Sequence, residues 1–503
     1  MRRRSLPLLP LLALASTPLS AETLRDALAQ AYRNNPTLTA QRAAQRANDE
    51  NVPIARAGGR PVLSTSTGVT ENFLRGGNSI TNPERQLTAS AGVTLPIYQG
   101  GRVKYGVRAA EVRVEAGVAN LRGVEASTFT DVVGAYNNVL RDEAIVALNA
   151  QNVRVLDTNL RASRDRFEVG DLTRTDVAQS QARLSLARAQ LQSAQATLIS
   201  SRENYVRLVG APPGTLEQPP ALPKLPDSAD AAVEIALQEN PNLLAARKVR
   251  EATDYDVKVA RANRLPQLGA TVSQNYFNYL GTFGSGSALG LGGQSSTATA
   301  LGASINLPIF QGGRVAAQLR QAQELRGQAI EQATAAERQV VAQARSAYAV
   351  WRSSLEVIAS AEAAVNANKL SLEGVRAENS VGTRTILDIL NAEQELLNSQ
   401  VTLVTARRDA YVAGFSLLAA MGHAEAEDLG LDGGALYDPS VNYRATRGRF
   451  NDFARTRAAE PVAGSTAAVG AQDATVTRPL DPLLESNVDR SPALTTGVDR
   501  PRP

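Results

Sequence analysis

The sequence predicts a mainly α-helical protein that carries membrane β-strands in two copies of one helical-hairpin and β-hairpin unit. The segment LPIYQGGRV at 95–103 recurs as LPIFQGGRV at 307–315. Alternating apolar and polar residues precede each copy, and a long segment rich in Ala, Gln, Arg and Glu follows it. Alternation is typical of a half-buried strand, whereas long segments without helix breakers are typical of helices.

The duplication can be followed residue by residue across most of the chain. An offset of 212 residues carries Leu95 onto Leu307, and an offset of 205 residues carries Asn35 onto Asn240. The offsets differ by seven residues, so one insertion of that length lies between Pro266 and Leu307. A unit of this size is far longer than a solenoid repeat, and we predict duplication of a whole structural unit.

The N-terminus has the composition of a secretory signal peptide. Arg2-Arg3-Arg4 precedes an apolar stretch that contains two prolines and is too short to span a bilayer. The predicted organisation is a signal peptide at 1–21, a first repeat at 22–210, a proline-rich linker at 211–230, a second repeat at 231–422, a C-terminal packing segment at 423–460 and a disordered tail at 461–503.

Composition argues against several classes of function. The sequence has no cysteine and one histidine, which leaves no disulfide framework, no acceptor for N-terminal lipidation and no basis for a His/Cys metal centre or a histidine-based triad. No segment after the signal peptide offers 18 uninterrupted apolar residues, so we expect no transmembrane helix. A net charge of +4 gives little support for a polyanionic partner. We therefore expect no nucleic acid, no cofactor, no metal and no catalytic residue.

Each half begins with a pair of short helices. Residues 22–57 carry apolar side chains at helical spacing, and Thr23 is placed to cap the first helix. The Asn35-Pro36 pair interrupts this segment, and Asn240-Pro241 interrupts the matching segment at 231–262. We predict a helix break at each Asn-Pro pair.

Two β-hairpins follow, at about 61–97 and 266–309. Apolar residues occupy alternate positions, as in LTASAGVTLPI at 87–97. Strands of about ten residues have the length and alternation of tilted transmembrane β-strands. The alternative is a soluble two-stranded hairpin on a helical protein. The glycine-rich segments at 76–79 and 281–296 lack the Lys-Ser/Thr of a phosphate-binding loop, so we predict exposed hairpin loops.

A glycine pair joins strand to helix in each half. Gly100-Gly101 and Gly312-Gly313 allow a sharp change of backbone direction that residues with a Cβ resist. Pro96 and Pro308 precede these pairs at the end of the strand pattern. A strand-to-helix junction is therefore predicted twice.

The segments after the glycine pairs predict the longest helices. Residues 101–168 and 313–379 contain no proline, and return helices follow at 173–209 and 385–421. The long helices would extend about 100 Å and each return helix about 55 Å. The short helices of 22–57 would add about 54 Å. A short segment stacked end to end on a return helix would be about as long as one long helix. Together they would build a tube wall of uniform height.

Four strands per chain cannot close a membrane barrel. An open sheet edge in lipid would leave backbone groups without hydrogen bonds, so several chains must combine if these are membrane strands. Twelve strands from three chains lie within the range of known barrels, although periodicity alone does not determine that number.

The sequence resembles the TolC family of outer-membrane efflux and type I secretion channel proteins over about residues 22–422. The resemblance lies in the duplicated LPI[YF]QGGRV junction, the Asn-Pro pairs and the tip sequence VGTRTILDIL at 381–390. It implies a homotrimer in the outer membrane of a Gram-negative bacterium, whose 12-stranded β-barrel continues into a long periplasmic α-helical barrel. It also implies outer-membrane lipid, a periplasmic adaptor protein and an inner-membrane RND, ABC or MFS transporter as partners.

The resemblance also implies a closed periplasmic aperture. Asp388 is similar to an aperture carboxylate, and three copies would create a negative ring that favours cations. A second family aspartate corresponds to Asn391, which halves the formal charge of that ring. Arg384 resembles a restraining arginine and Asp176 its acidic partner on the first hairpin. The tip tyrosine of the family's best-characterised member falls at Asn379, so the resemblance implies that this part of the latch is absent.

Helix capping is the alternative role for the two acids. Thr385 to Asp388 and Thr173 to Asp176 both have the pattern of a capping box, in which the acid serves its own helix N-terminus. The two roles are compatible, because a capping carboxylate near a pore axis still contributes charge. The resemblance further implies adaptor docking at the hairpin tips, which contain Gly170, Leu172, Gly382 and Thr383.

The leading interpretation is a passive exit duct that passes substrates from an inner-membrane transporter across the periplasm and the outer membrane. The alternative is a secreted non-channel helical scaffold or adaptor protein. The apolar faces at 87–97 and 301–309 argue against this alternative, because monomers seldom leave such a band exposed. An enzyme is the weakest interpretation, and the residues do not identify the cargo.

Overall fold

The computed structural model describes residues 21–73, 83–283, 293–431, 436–455, 458 and 460–485. Residues 1–20 of the predicted signal peptide, the glycine-rich loop at 76–79, residues 284–292 of the second loop and residues 486–503 of the predicted tail lie outside the described residues.

The two repeats contain the same elements in the same order. The first forms α1 (Leu24–Asn34), α2 (Pro36–Asp49), α3 (Asn51–Ala57), β1 (Val62–Glu71), β2 (Arg85–Gln99), α4 (Arg102–Glu168) and α5 (Arg174–Val209). The second forms α6 (Ala229–Glu239), α7 (Pro241–Ala262), β3 (Gln267–Asn278), β4 (Ser295–Asn306), α8 (Arg314–Ser380) and α9 (Ile386–Met421), and α10 (Pro439–Thr446) follows.

The long helices confirm the prediction from the proline-free segments. Helices α4 and α8 each contain 67 residues, and α5 and α9 each contain 36 residues. All four begin and end within one residue of the predicted bounds. No helix in the described part of the chain is long and apolar enough to cross a membrane.

The predicted helix breaks are present, and each asparagine has two structural roles. The Asn35 side chain accepts hydrogen bonds from the backbone N–H groups of Thr37 and Leu38, which caps α2. Its Nδ2 donates to the carbonyl oxygen of Leu208 at 2.9 Å, and Asn240 donates to Ala420 in the same way. Each break is therefore hydrogen-bonded to the end of the return helix of its own repeat.

The strands form one antiparallel sheet in the order β1-β2-β3-β4, and β1 and β4 lie at its two edges. Strand β4 ends at Asn306, although the sequence pattern predicted that it continues to Leu307 and Ile309. The structure corrects this prediction: β3 begins at Gln267, which pairs with Asn306, so later residues have no partner strand. Strand β2 reaches Gln99, through a bulge after Pro96.

The largest apolar cluster lies where the short helices, the linker and the C-terminal packing segment meet the long helices. Tyr136 is fully buried there and donates from its hydroxyl to the carbonyl oxygens of Glu22 and Glu217. Leu216 is also buried in this cluster. The proline-rich linker is therefore fastened to the first repeat and contributes to its core.

The C-terminal packing segment is ordered over most of its length. Residues 424–431 contribute Ala424, Ala426 and Leu431 to the largest cluster, and α10 packs on α2. Asn442 of α10 donates to the Asp49 carboxylate at 2.7 Å.

The prediction of a disordered tail from residue 461 is wrong for the part of the tail that the structure describes. Arg202 of α5 donates to the carbonyl oxygens of Asp473 and Thr475, and Gln400 of α9 donates to that of Leu484 at 2.6 Å. Leu484 is buried against α4, α8 and α9. A few apolar anchors and charged partners on the helices hold this extended segment, which we name the C-terminal strap (residues 472–485).

Candidate functional site

The two helical hairpins of the chain turn at equivalent tips. After α4 the backbone reverses at Gly170, and after α8 it reverses at Gly382, with φ of 81° and 83°. In both turns a backbone N–H donates to a carbonyl oxygen in the last turn of the long helix. Asp171 donates to the carbonyl oxygen of Arg166, and Thr383 donates to that of Glu378. Left-handed backbone of this kind favours glycine, which explains the glycine in each tip.

Both tips continue into a capped helix, as the capping-box patterns predicted. The Thr385 backbone N–H and hydroxyl donate to the Asp388 carboxylate at 2.9 and 2.8 Å, and the Thr173 groups donate to Asp176 at 2.9 and 2.6 Å. These hydrogen bonds hold the pKa of each carboxyl below its usual value. The bond from the threonine hydroxyl has the larger effect, and the bond from the backbone N–H adds to it. Both groups are therefore anionic at neutral pH.

Arg384 is exposed beside Asp388 on the second tip. Its Nε donates to the Glu378 carboxylate at 2.7 Å, and the backbone carbonyl of Arg384 accepts a hydrogen bond from Asn379 at 2.7 Å. Asn379 thus stabilises the turn. Within one chain the structure does not bring Arg384 and Asp176 together, because each is bound within its own hairpin.

Asn391 links the second hairpin to the first. Its side-chain oxygen accepts a hydrogen bond from Arg183 of α5 at 2.7 Å. Sequence reasoning missed Arg183, because it lies within a uniform helical segment that contains several arginines. The contact depends on how α5 and α9 are placed side by side, which no local pattern encodes.

A buried polar cluster lies behind the tips. Glu393 of α9 accepts hydrogen bonds from Arg376 of α8 at 2.8 Å and from Asn159 of α4 at 2.9 Å. The side chains of Arg376 and Glu393 are 10% and 5% exposed, so the pair is shielded from water. The cluster connects three helices of the two hairpins. Sequence reasoning missed it for the same reason as Arg183.

The tips expose apolar side chains. Val169 is 80% exposed and Val381 is 75% exposed, one on each tip. Gly170, Gly382 and Thr383 are exposed beside them, whereas Leu172 is half-buried. Each hairpin therefore exposes one valine at an equivalent position of its tip.

The predicted junction glycines adopt the backbone conformation that the sequence analysis requires of them. Gly100 and Gly101 have φ of 62° and 84°, and Gly312 and Gly313 have φ of 59° and 82°. Pro96 lies within β2, whereas Pro308 follows the end of β4. Among the described residues, no group of three or more His, Asp or Glu side chains is arranged to hold a metal ion.

Comparison with known proteins identifies the family. The family model described as outer membrane efflux protein matches residues 27–211 and 232–423, one match in each repeat. The chain belongs to the outer membrane efflux protein family. The TolC-family resemblance of the sequence is thereby confirmed.

Individual members of the outer membrane efflux protein family are similar over most of the chain. The outer membrane efflux protein BepC of Brucella suis is 35% identical over 430 residues, which cover 86% of this chain and 91% of that protein. The outer membrane protein TolC of Escherichia coli is 28% identical over 447 residues, covering 85% and 88%. The outer membrane channel CmeC of Campylobacter jejuni has the same fold, with a TM-score of 0.70 at 16% identity over 84% of this chain and 89% of that chain.

Membership of the outer membrane efflux protein family confirms the predicted fold class, a duplicated unit that forms a trimeric α-helical barrel continuous with a 12-stranded β-barrel. The chain is an exit duct in the outer membrane of a Gram-negative bacterium and has a large periplasmic portion. The alternative of a secreted scaffold is set aside, because the family consists of channel proteins.

Proposed function

We propose that this duct is the outer-membrane component of a tripartite efflux or type I secretion system and that the tips of its helical hairpins close its periplasmic end. The observation that carries the proposal is the pair of equivalent tips. Each presents an anionic, partly exposed carboxylate at a helix N-terminus and an exposed valine at the turn.

Three copies of Asp388 around the duct axis would form a ring of negative charge. Each carboxylate is held by Thr385 and stays anionic at neutral pH, so the ring would attract cations and repel anions. The next position of the aperture is Asn391, which is uncharged. The ring therefore carries about half the charge of a double-aspartate aperture, and the cation preference is correspondingly moderate.

Contacts between copies would hold the aperture closed. Arg384 is half-exposed in one chain, and in the assembled ring its guanidinium would be shared between Glu378 and Asp176 of the neighbouring copy. Opening would require the hairpins to move apart, which would break these contacts and the Arg183 hydrogen bond to Asn391.

A periplasmic adaptor protein would dock on the tips at Gly170, Leu172, Gly382 and Thr383, next to the exposed valines. The adaptor would connect the homotrimer to an inner-membrane RND, ABC or MFS transporter, and outer-membrane lipid would surround the strands. The duct would catalyse no reaction and bind no nucleic acid, and the transporter would select the cargo.

Single-channel recording in planar bilayers tests this proposal. Wild type is expected to show a small conductance that prefers cations. Arg384→Ala should raise the conductance several-fold, and Asp388→Ala should abolish the cation preference. The matched controls lie on the first tip. Arg174→Ala also removes one positive charge, and Asp171→Ala also removes one negative charge. A channel that responds to Arg384→Ala and Asp388→Ala no more than to these controls would overturn the gate assignment.

A further inference from the structure

The chain returns to the end of the sheet after α10. Helix α10 packs on α2, and the residues that follow it run alongside α3. Arg56 of α3 donates from Nη1 to the carbonyl oxygen of Arg447 at 3.0 Å. Arg60, just after α3, donates to the carbonyl oxygen of Arg449 at 2.6 Å. These contacts fasten residues 444–455, which we name the basic-aromatic segment, to the end of α3.

The end of α3 lies at the level where helices give way to strands. Arg60 precedes Val62, the first residue of β1, by two positions. Gly59 lies beside the first glycine junction, because a Cβ added to it would lie 3.1 Å from Cγ1 of Val103 in the first turn of α4. The strands of this family member lie in the outer membrane and its helices in the periplasm. The basic-aromatic segment is therefore level with the periplasmic surface of that membrane.

Two phenylalanines of the basic-aromatic segment are exposed. Phe450 is 80% exposed and Phe453 is 95% exposed. The Arg60 guanidinium lies 5.8 Å from the centre of the Phe450 ring. The Asn451 side chain accepts a hydrogen bond from the backbone N–H of Phe453 at 3.0 Å, which forms a local turn between the two rings. An ordered turn thus presents two apolar rings at the membrane boundary.

Arginines flank these rings in the sequence. Arg447, Arg449 and Arg455 are exposed, and Asp452 is the one acidic residue among them. None of the three arginines forms an ion pair with a carboxylate of the described residues. The segment therefore combines apolar rings with an excess of positive charge, which is typical of segments that bind an anionic membrane surface.

The duplicated junctions place further aromatic rings at the same level. Tyr98 and Phe310 occupy one position of the repeated LPIYQGGRV and LPIFQGGRV segments, and both are exposed. Aromatic side chains are enriched where a membrane protein crosses from the acyl chains to the headgroups. The position of these two residues supports the assignment of this level as the membrane boundary.

We propose that the basic-aromatic segment is an accessory membrane anchor on the periplasmic leaflet of the outer membrane. Phe450 and Phe453 insert between the lipid chains, and the flanking arginines bind the phosphates of anionic phospholipids. This inference rests on the proposed contact between lipid and the strands, and it adds a lipid contact outside the sheet. The occupant is lipid because the segment is level with the membrane surface and because anionic headgroups complement arginines that have no carboxylate partner.

Site-directed fluorescence labelling tests the anchor in the full-length chain, which contains no native cysteine. Phe453→Cys would carry a bimane probe in vesicles of phosphatidylethanolamine and phosphatidylglycerol. A nitroxide on the lipid acyl chain and iodide on both sides of the bilayer would serve as quenchers. Phe167→Cys, an exposed phenylalanine at the first hairpin tip, is the aqueous control. Leu301→Cys, in the middle of β4, is the membrane control.

The lipid-attached nitroxide should quench the probe at position 453 several-fold more strongly than the probe at position 167, and iodide should show the reverse order. Equal quenching by iodide at the two positions would overturn the anchor. A probe at position 453 that neither quencher reaches would also overturn it, because a second copy then covers the segment. Quenching by lipid at position 301 alone refutes the anchor and leaves the duct intact, whereas its absence at both positions refutes the membrane sheet as well.

Removal of charge tests the arginines separately. Arg447→Gln/Arg449→Gln should lower the lipid quenching of the probe at position 453 to the level that wild-type arginines give in uncharged phosphatidylcholine vesicles. Arg166→Gln/Arg174→Gln, at two exposed arginines near the first tip, is the matched control and should leave the quenching unchanged. Equal quenching in the two double variants would overturn the contact between the arginines and anionic lipid.

Discussion

At the residue scale, the two tip acids combine a structural and an electrostatic role. Asp176 and Asp388 accept hydrogen bonds that close the first turns of α5 and α9, and the same bonds keep them ionised. The sequence patterns predicted the capping boxes because both partners lie within four residues of each other. What a capping carboxylate does for the duct depends on its position relative to the axis.

The first residue-scale prediction concerns the cap of the first tip. Thr173→Ala removes the hydroxyl that binds Asp176 and should destabilise the first turn of α5 by about 1 kcal/mol. Hydrogen exchange of the backbone N–H groups at the start of α5 should accelerate accordingly. Thr158→Ala is the control, because the Thr158 hydroxyl donates to the carbonyl oxygen of Arg154 in its own helix. Equal exchange in the two variants would refute the capping role.

The pH dependence follows from the lowered pKa of both acids. A carboxyl whose pKa is lower in the folded state contributes stability above its unfolded pKa of about 3.9, and this contribution is lost as pH falls through the lower folded value. The tip charge and the cation preference should therefore stay constant between pH 8 and pH 5. Reversal potentials measured across this range would contradict the assignment if selectivity declined near pH 6.

At Asn391, the second position of the proposed aperture, a substitution can add a negative charge. Asn391→Asp places a carboxylate beside Arg183, which already donates to that side chain. The change should increase the cation preference of the channel and strengthen the link between α5 and α9. Asn398→Asp is the matched control, because Asn398 is exposed and lies about two turns further along α9. Equal reversal potentials for the two variants would remove Asn391 from the aperture.

At the element scale, the buried polar cluster behind the tips joins the two hairpins by hydrogen bonds. Glu393 bonds to Arg376 and Asn159 and so joins α9 to α8 and α4. Glu393→Ala leaves the shielded Arg376 without this carboxylate and should cost about 3–5 kcal/mol. We expect a lower unfolding temperature and a larger, noisier conductance. Glu395→Ala, at an exposed neighbour, should leave both unchanged; equal effects would refute the cluster's role.

The C-terminal strap crosses from the first hairpin to the second. It contacts Arg202 of α5 at one end and Lys369 and Gln400 of α8 and α9 at the other. Truncation after Gly470 should therefore uncover the Leu484 site and lower the unfolding temperature. Truncation after Glu485 leaves the strap intact and should not. Equal unfolding temperatures for both truncations would show that the strap adds no stability.

The sequence predicted the elements of this fold well because their signals are local. Helix bounds follow from proline-free segments, caps and glycines, and the Asn-Pro breaks recur in both halves. Order in the strap was missed because its anchors, Val476, Leu480 and Leu484, are few and their partners lie on distant helices. The cluster around Glu393 was missed for the same reason, since a polar residue on a long helix has no local sign of burial.

At the scale of the whole molecule, one chain is a fraction of a closed ring. Within the part of the chain that the structure describes, β1 and β4 lie at the two edges of the sheet, each with one partner strand. A membrane sheet must close to satisfy its backbone groups. Closure of the sheet therefore needs strands from other copies of the chain, in agreement with the trimeric barrel of the fold class.

The most direct test of this account is single-channel recording in planar bilayers on wild type and on the Arg384→Ala and Asp388→Ala variants. The account predicts a small conductance that prefers cations in wild type, a several-fold larger conductance without Arg384 and no cation preference without Asp388. A channel whose conductance and selectivity change no more than in the Arg174→Ala and Asp171→Ala controls would contradict it.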